Sequence, residues 1–150
     1  MGFTKIMCPI DFSDGAREAL RVASELSREA SASLVLVHVS NPLPWTMAGA
    51  FQLAPSVVQD MVDAEQAELS RWRLLAKDLG AREVAIRFLT GTPWDQIVSF
   101  ARSDHEVDLV VMGTHGRTGL AHALLGSVAE QVVRHAPCPV LVVRSKAPKE

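Results

Sequence analysis

The sequence lacks several features that would assign it to large classes of protein. No stretch approaches 18 uninterrupted apolar residues and the amino terminus has no long apolar core, so neither a membrane-spanning helix nor a signal peptide is predicted. Lysine and arginine number 15 against 17 aspartate and glutamate, and these charges are scattered, which provides no basic surface for nucleic acid. We therefore expect a soluble, cytoplasmic protein that binds neither nucleic acid nor membrane.

Recognised metal-site spacings and standard nucleotide-binding loops are also missing. Cys8 and Cys138 match no zinc spacing, which favours reduced, buried thiols. His115 with His122, or His135 with Cys138, would need a third metal ligand, and none has suitable spacing. No G-x-G-x-x-G follows the first strand-like run, and no Walker loop with its lysine is present.

What is present is a regular alternation of two patterns. Short runs rich in Val, Ile and Leu predict five strands, at Lys5–Ile10, Ser33–Ser40, Glu83–Thr90, Asp108–Gly113 and Pro139–Arg144. Apolar residues at helical spacing predict four helices between them, the fourth pattern comprising Leu124, Leu125, Val128 and Val132. This alternation is typical of a parallel sheet covered by helices on both faces, in one domain over residues 1–150.

Two connections of this predicted fold have distinctive composition. The third helix has the clearest start, with Thr92 as N-cap and Pro93 at its first position. The segment Asn41–Pro55 is long, irregular and contains three prolines, which predicts a flap beside the sheet.

Ligands of doubly wound sheets bind outside the carboxyl ends of the strands, and glycines cluster after the fourth predicted strand. Their spacing is Gly113-x-x-Gly116, nine residues, then Gly126-Ser127. Gly126 and Ser127 fall at the predicted start of the fourth helix, where unpaired backbone NH groups and the helix dipole attract an anion. The pattern therefore indicates either a polyphosphate site or a glycine-rich turn with a capping serine.

Several stretches together resemble the universal stress protein family over nearly the whole chain. They are "PIDFS" after strand one, "VMGTHGRTG" after strand four, the spacing G-x-x-G-x9-G-[ST], and the ending "VVRHAPCPVLVVR". The resemblance implies a three-layer, doubly wound α/β fold with a five-stranded parallel sheet of order 3-2-1-4-5, as in adenine nucleotide alpha hydrolase-like proteins. It also implies a homodimer, and the glycine spacing places the sequence with the members that bind ATP.

The resemblance further implies a role for each matching position. Asp11 would contact the ribose, with Met112 and Gly113 beside the sugar. The remaining positions would frame the adenine or hold the phosphates, and they are Pro9, Ile10 and Val39 for the base and Gly116, Arg117, Gly126, Ser127 and Val128 for the phosphates. Mg²⁺ would be held through the nucleotide phosphates rather than by a protein site.

Some of these residues have simpler interpretations. Asp11 is also suited to capping the first helix with Ser13 or Asp14, and Arg117 to being a solvated loop residue rather than a phosphate ligand. His115 has no paired carboxylate or nucleophile nearby, which favours a surface position over a general base. His38, between valines of the second strand, is predicted to be packed or ligand-lining and uncharged.

Three functions are consistent with this sequence. The preferred one is a nucleotide-dependent stress-response sensor or regulator, because a phosphate site is visible and a catalytic base is not. The second is an enzyme, a slow ATPase or a nucleotidyl transferase, and the third is a protein that acts only through its dimer surface. The dimer is expected to form through strand five, at Val140, Leu141, Val142 and Val143, whereas the closing "SKAPKE" could instead protect that edge in a monomer.

Overall fold

The structure, a computed structural model, describes residues 2–41, 54–114 and 125–145. Helices and strands alternate along these ranges, in the order β1 (Lys5–Pro9), α1 (Asp14–Ala30), β2 (Ser33–Ser40), α2 (Pro55–Asp78), β3 (Val84–Thr90), α3 (Pro93–Ser103), β4 (Leu109–Gly113), α4 (Ser127–His135) and β5 (Val140–Val143). The predicted strands all form, with ends that differ by at most one residue. The predicted flap Asn41–Pro55 lies mostly outside the described residues, and Pro55 is the first residue of α2.

The five strands form one parallel sheet of order β3-β2-β1-β4-β5, which confirms the predicted fold class. β1 lies at the centre, and its Ile6 is in register with Leu34 of β2 on one side and with Leu109 of β4 on the other. From β1 the chain moves outward through β2 to β3, then returns to β4. The strand order therefore reverses between β1 and β4, which is where ligands of such sheets bind.

Helices cover both faces of the sheet, and each face has its own apolar core. On one face Leu20 of α1 and Trp72 of α2 pack over Leu36 of β2. On the other face Ile97 of α3 and Val132 of α4 pack among apolar side chains of the strands. Burial of each large apolar side chain is worth about 1.5 to 3 kcal/mol, so both faces contribute to stability.

The starts of α3 and α4 follow the sequence signals. Thr92 is the N-cap of α3 and Pro93 its first residue, although the Thr92 side chain makes no capping hydrogen bond. α4 begins at Ser127 with Gly126 as its N-cap. The expectation that Leu125 belongs to this helix was wrong, because Gly126 after it is extended (φ −68°, ψ 162°) and its carbonyl accepts the first helical hydrogen bond. Leu124 lies outside the described residues.

The two thiols are free, Cys8 being buried and Cys138 half-buried. Burial raises the pKa of both thiols, and the nearby Asp108 raises that of Cys138 further. Both therefore stay protonated and unreactive near neutral pH. Within the three described ranges no helix is long and apolar enough to cross a membrane.

Candidate functional site

The candidate site lies at the strand-order reversal, where β1 and β4 end side by side. Three segments reach this place: the turn from β1 into α1, the end of β4, and the start of α4. The carboxyl ends of parallel strands share one edge of the sheet, so residues that follow β1 and β4 are neighbours although about 100 positions separate them.

Asp11 organises the turn from β1 into α1. Its Oδ1 accepts a hydrogen bond from the backbone NH of Ser13 at 3.0 Å and another from the Ser13 hydroxyl. Ser13 is the N-cap of α1, and its Oγ accepts from the NH of Ala16 at 3.1 Å. The capping role weighed for Asp11 is therefore present, through Ser13, and the same bonds fix the carboxylate at the edge of the site.

Gly113 ends β4 in close contact with the first turn of α1. A Cβ at this position would lie 2.9 Å from the carbonyl carbon and oxygen of Gly15. Such a distance is below van der Waals contact, so β4 and α1 can approach this closely only because position 113 has no side chain.

Thr114, a residue that sequence reasoning missed, joins β4 to the start of α4. It is buried, its NH donates to the carbonyl of Val143 in β5 at 3.1 Å, and its carbonyl accepts from the NH of Gly126 at 2.6 Å. The start of α4 is therefore held beside the end of β4. Only its position after a strand-ending glycine could have drawn attention to Thr114.

The NH groups in the first turn of α4 have no carbonyl acceptor within their own helix. The first helical bond runs from Glu130 NH to Gly126 carbonyl, at 2.9 Å, so the NH groups of Ser127, Val128 and Ala129 precede it. Gly126 itself is not one of these donors, since its NH is bonded to Thr114. The NH of Gly126 is therefore used within the protein, and Ser127, which is exposed, is the leading donor at the start of α4.

The other predicted site residues differ in accessibility. Pro9, Ile10 and Met112 are buried, with Ile10 only 2% exposed, while Val39 and Val128 are half-buried. Among the residues proposed to frame the adenine, Val39 therefore has the most accessible side chain. Gly116, Arg117, His115 and His122 lie outside the described residues.

His38 is buried beside the turn that carries Asp11, which agrees with the packed position, one of the two positions predicted for it. Its Nδ1 lies 2.7 Å from the carbonyl oxygen of Ile10, and its Nε2 lies 3.0 Å from Oε2 of Glu65 on α2. The ring of Phe12 stacks on the imidazole at 4.4 Å between centroids. Sequence patterns gave no sign of Glu65, which lies on the largely polar surface of a long helix.

Comparison with known proteins identifies the family. The model of the universal stress protein family matches residues 2–144. The chain belongs to the universal stress protein family. Among curated members of that family, universal stress protein MJ0531 of Methanocaldococcus jannaschii is 36% identical over 151 residues, covering 99% of this chain and 85% of that protein.

Solved structures of universal stress proteins share this fold. MJ0577, from the same archaeon, superposes with a TM-score of 0.83 at 29% identity, covering 98% of this chain and 99% of that one. The universal stress protein of Archaeoglobus fulgidus, solved in complex with dAMP, has a TM-score of 0.66 at 27% identity, covering 95% of this chain and 98% of that one. Solved members of the family thus include one that holds an adenine nucleotide.

Proposed function

We propose that this universal stress protein binds ATP at the junction of β1, β4 and α4 and acts as a nucleotide-dependent regulator in the stress response. One observation carries the proposal: the chain brings the carboxylate of Asp11 and the first-turn NH groups of α4, which have no acceptor within their own helix, to the same reversal point of the sheet. Asp11 is hydrogen-bonded to Ser13, and Gly15, two residues later, packs against Gly113 at the end of β4. Thr114, which follows Gly113, is hydrogen-bonded to Gly126 at the start of α4. A ribose hydroxyl donates to a carboxylate, and phosphate oxygens accept from NH groups, so this placement suits a nucleotide.

Each end of the nucleotide has a matching part of the site. The phosphates would lie at the start of α4, where the Ser127 hydroxyl and the NH groups of Ser127 and Val128 donate and the helix dipole is positive. Gly116 and Arg117 would complete this end. The adenine would lie against Val39, above Pro9 and Ile10, and the sugar would lie beside Met112 and Gly113.

A divalent cation would enter with the nucleotide. Among the residues that the structure describes, no group of three His, Cys, Asp or Glu side chains could hold a metal ion. Mg²⁺ keeps several waters and commonly binds through substrate phosphates. We therefore propose that phosphate oxygens of ATP, rather than protein side chains, bind this ion. The A. fulgidus relative bound to dAMP supports an adenine nucleotide, and the glycine spacing extends this to a triphosphate.

Two substitutions at the start of α4 test the phosphate position. Ser127→Ala is expected to weaken ATP binding by a net hydrogen bond, about 0.5 to 1.5 kcal/mol. Gly126→Val should weaken it more, because the valine side chain would occupy the approach to the NH groups. Since Gly126 has φ −68° and ψ 162°, which valine adopts readily, the loss would not come from backbone strain. Isothermal titration calorimetry with MgATP measures both.

Ser70→Ala is the matched control, because Ser70 is an exposed serine on α2. Its affinity for MgATP should equal that of the unmodified protein. Unchanged affinity in Gly126→Val would exclude the start of α4 as the phosphate site. Turnover of ATP above about 1 per second, ordinary for enzymes, would instead favour the alternative of an ATPase.

We further propose that the protein forms a homodimer through β5. This strand is at the edge of the sheet, Leu141 is 40% exposed, and its neighbours Val140, Val142 and Val143 are half-buried. An open apolar edge strand favours association, and pairing with its own copy about a two-fold axis would cover it.

A further inference from the structure

The two ring nitrogens of His38 each face an atom that only accepts hydrogen bonds. Nδ1 faces the carbonyl oxygen of Ile10 at 2.7 Å, and Nε2 faces Oε2 of Glu65 at 3.0 Å. A neutral imidazole has one N–H, and neither a carbonyl nor an ionised carboxylate donates. A proton on Nδ1 makes the shorter contact, with the carbonyl of Ile10, a hydrogen bond in which the ring donates.

These contacts hold both chain neighbours of Asp11. The carbonyl oxygen of Ile10 contacts His38, and the NH of Ile10 donates to the carbonyl of Val37 at 2.8 Å. Strand β2 therefore fixes the residue that precedes Asp11. Phe12, the residue that follows, has φ 65° and stacks on the imidazole with an interplanar angle of 28°. A positive φ costs a phenylalanine free energy, so this turn depends on surrounding contacts to persist.

Two further ring contacts support this arrangement. Phe88 of β3 lies against the His38 ring at 5.6 Å between centroids, and Trp72 of α2 lies against Phe12 at 5.7 Å. Trp72 is itself covered by the guanidinium of Arg17 at 5.3 Å from its ring centroid. The His38 side chain is 8% exposed, so the imidazole is held inside this cluster.

We propose that His38 is a positioning residue that holds the Ile10–Phe12 turn and so aims Asp11 at the bound nucleotide. This inference rests on the proposed nucleotide site. Without a donor at the place of Nδ1, the carbonyl of Ile10 loses this hydrogen bond, the turn is held less firmly, and nucleotide affinity falls.

Two substitutions of His38 separate its two contacts. Asparagine places an amide nitrogen at the reach of Nδ1, and glutamine places one at the reach of Nε2. His38→Asn can still donate to Ile10 and should keep MgATP affinity within about threefold of the unmodified protein, whereas His38→Gln should lose about three- to tenfold, the equivalent of one hydrogen bond. Circular dichroism must show that both are folded. Equal affinities of two folded variants would overturn the positioning role.

A measurement without nucleotide separates this inference from the proposed function. Nitrogen-15 NMR of the histidine rings, with His38 assigned by its loss in His38→Asn, should show a protonated Nδ1 at pH 7. An unprotonated Nδ1, with the proton on Nε2 facing Glu65, would overturn the inference. If instead Nδ1 is protonated and the unmodified protein fails to bind ATP, the proposed function fails while the histidine contacts stand.

Discussion

Gly113→Ala is expected to lower the free energy of unfolding by about 1 to 3 kcal/mol, a large share of the stability of a small domain. The new methyl group would lie 2.9 Å from the carbonyl carbon and oxygen of Gly15, which are backbone atoms and cannot rotate away. Relief requires β4 or α1 to move, yet β4 is paired on both sides and α1 is capped by Ser13. Urea denaturation followed by circular dichroism measures the loss.

Gly2→Ala is the control for this substitution, because a Cβ at Gly2 would have nothing within 4 Å. Its unfolding free energy should stay within about 0.5 kcal/mol of the unmodified protein. If Gly113→Ala is equally neutral, β4 and α1 do not pack as closely as described. Where Gly113→Ala remains folded at low temperature, its MgATP affinity should also fall, because β4 and α1 carry opposite sides of the proposed site.

Leu141→Lys is expected to convert the proposed dimer into a monomer of 16.3 kDa. In an antiparallel pairing of β5 with its copy, the two lysines would lie near one another across the two-fold axis, and like charges on paired strands are destabilising. Since Leu141 is already exposed in the single chain, the fold itself should tolerate the change. Size-exclusion chromatography with light scattering gives the mass, and circular dichroism confirms the fold.

Leu74→Lys provides the matched control, because Leu74 is 61% exposed but lies on α2, away from β5. Its mass should equal that of the unmodified protein. A mass of 16.3 kDa for the unmodified protein across micromolar concentrations would rule out the β5 dimer and would favour protection of the edge by the closing segment.

The sequence predicted the elements of this fold well because their signals are local. Runs of β-branched and apolar residues mark strands, and the order 3-2-1-4-5 came from the family resemblance. Thr92 and Pro93 located the start of α3, and Gly126 with Ser127 located the start of α4. Leu125 was misplaced because apolar spacing alone does not report the dihedral angles at which a helix begins.

The candidate site was predicted as a set of residues but not as a set of contacts. The hydrogen bond between Gly126 and Thr114 joins the start of α4 to the end of β4, and no local sequence pattern predicts it. The contact of His38 with Glu65 joins a strand to a helix 27 positions later and depends on how α2 lies over the sheet. Such long-range pairings follow from packing of the whole chain, which local patterns do not determine.

β1 is the first strand of the chain and the middle strand of the sheet, and this arrangement has a kinetic consequence. Thr4 and Asp108 form hydrogen bonds across 104 positions, and β1 pairs with β4 immediately beyond them. Contacts between residues so far apart in sequence form late in folding, because closing the long loop costs conformational entropy before the strand pairing offsets that cost. During synthesis, β1 can pair with β2 early, but its other edge stays open until β4 has been made. A chain interrupted after β3 would expose that edge and would lack β4 and α4, which carry part of the proposed nucleotide site.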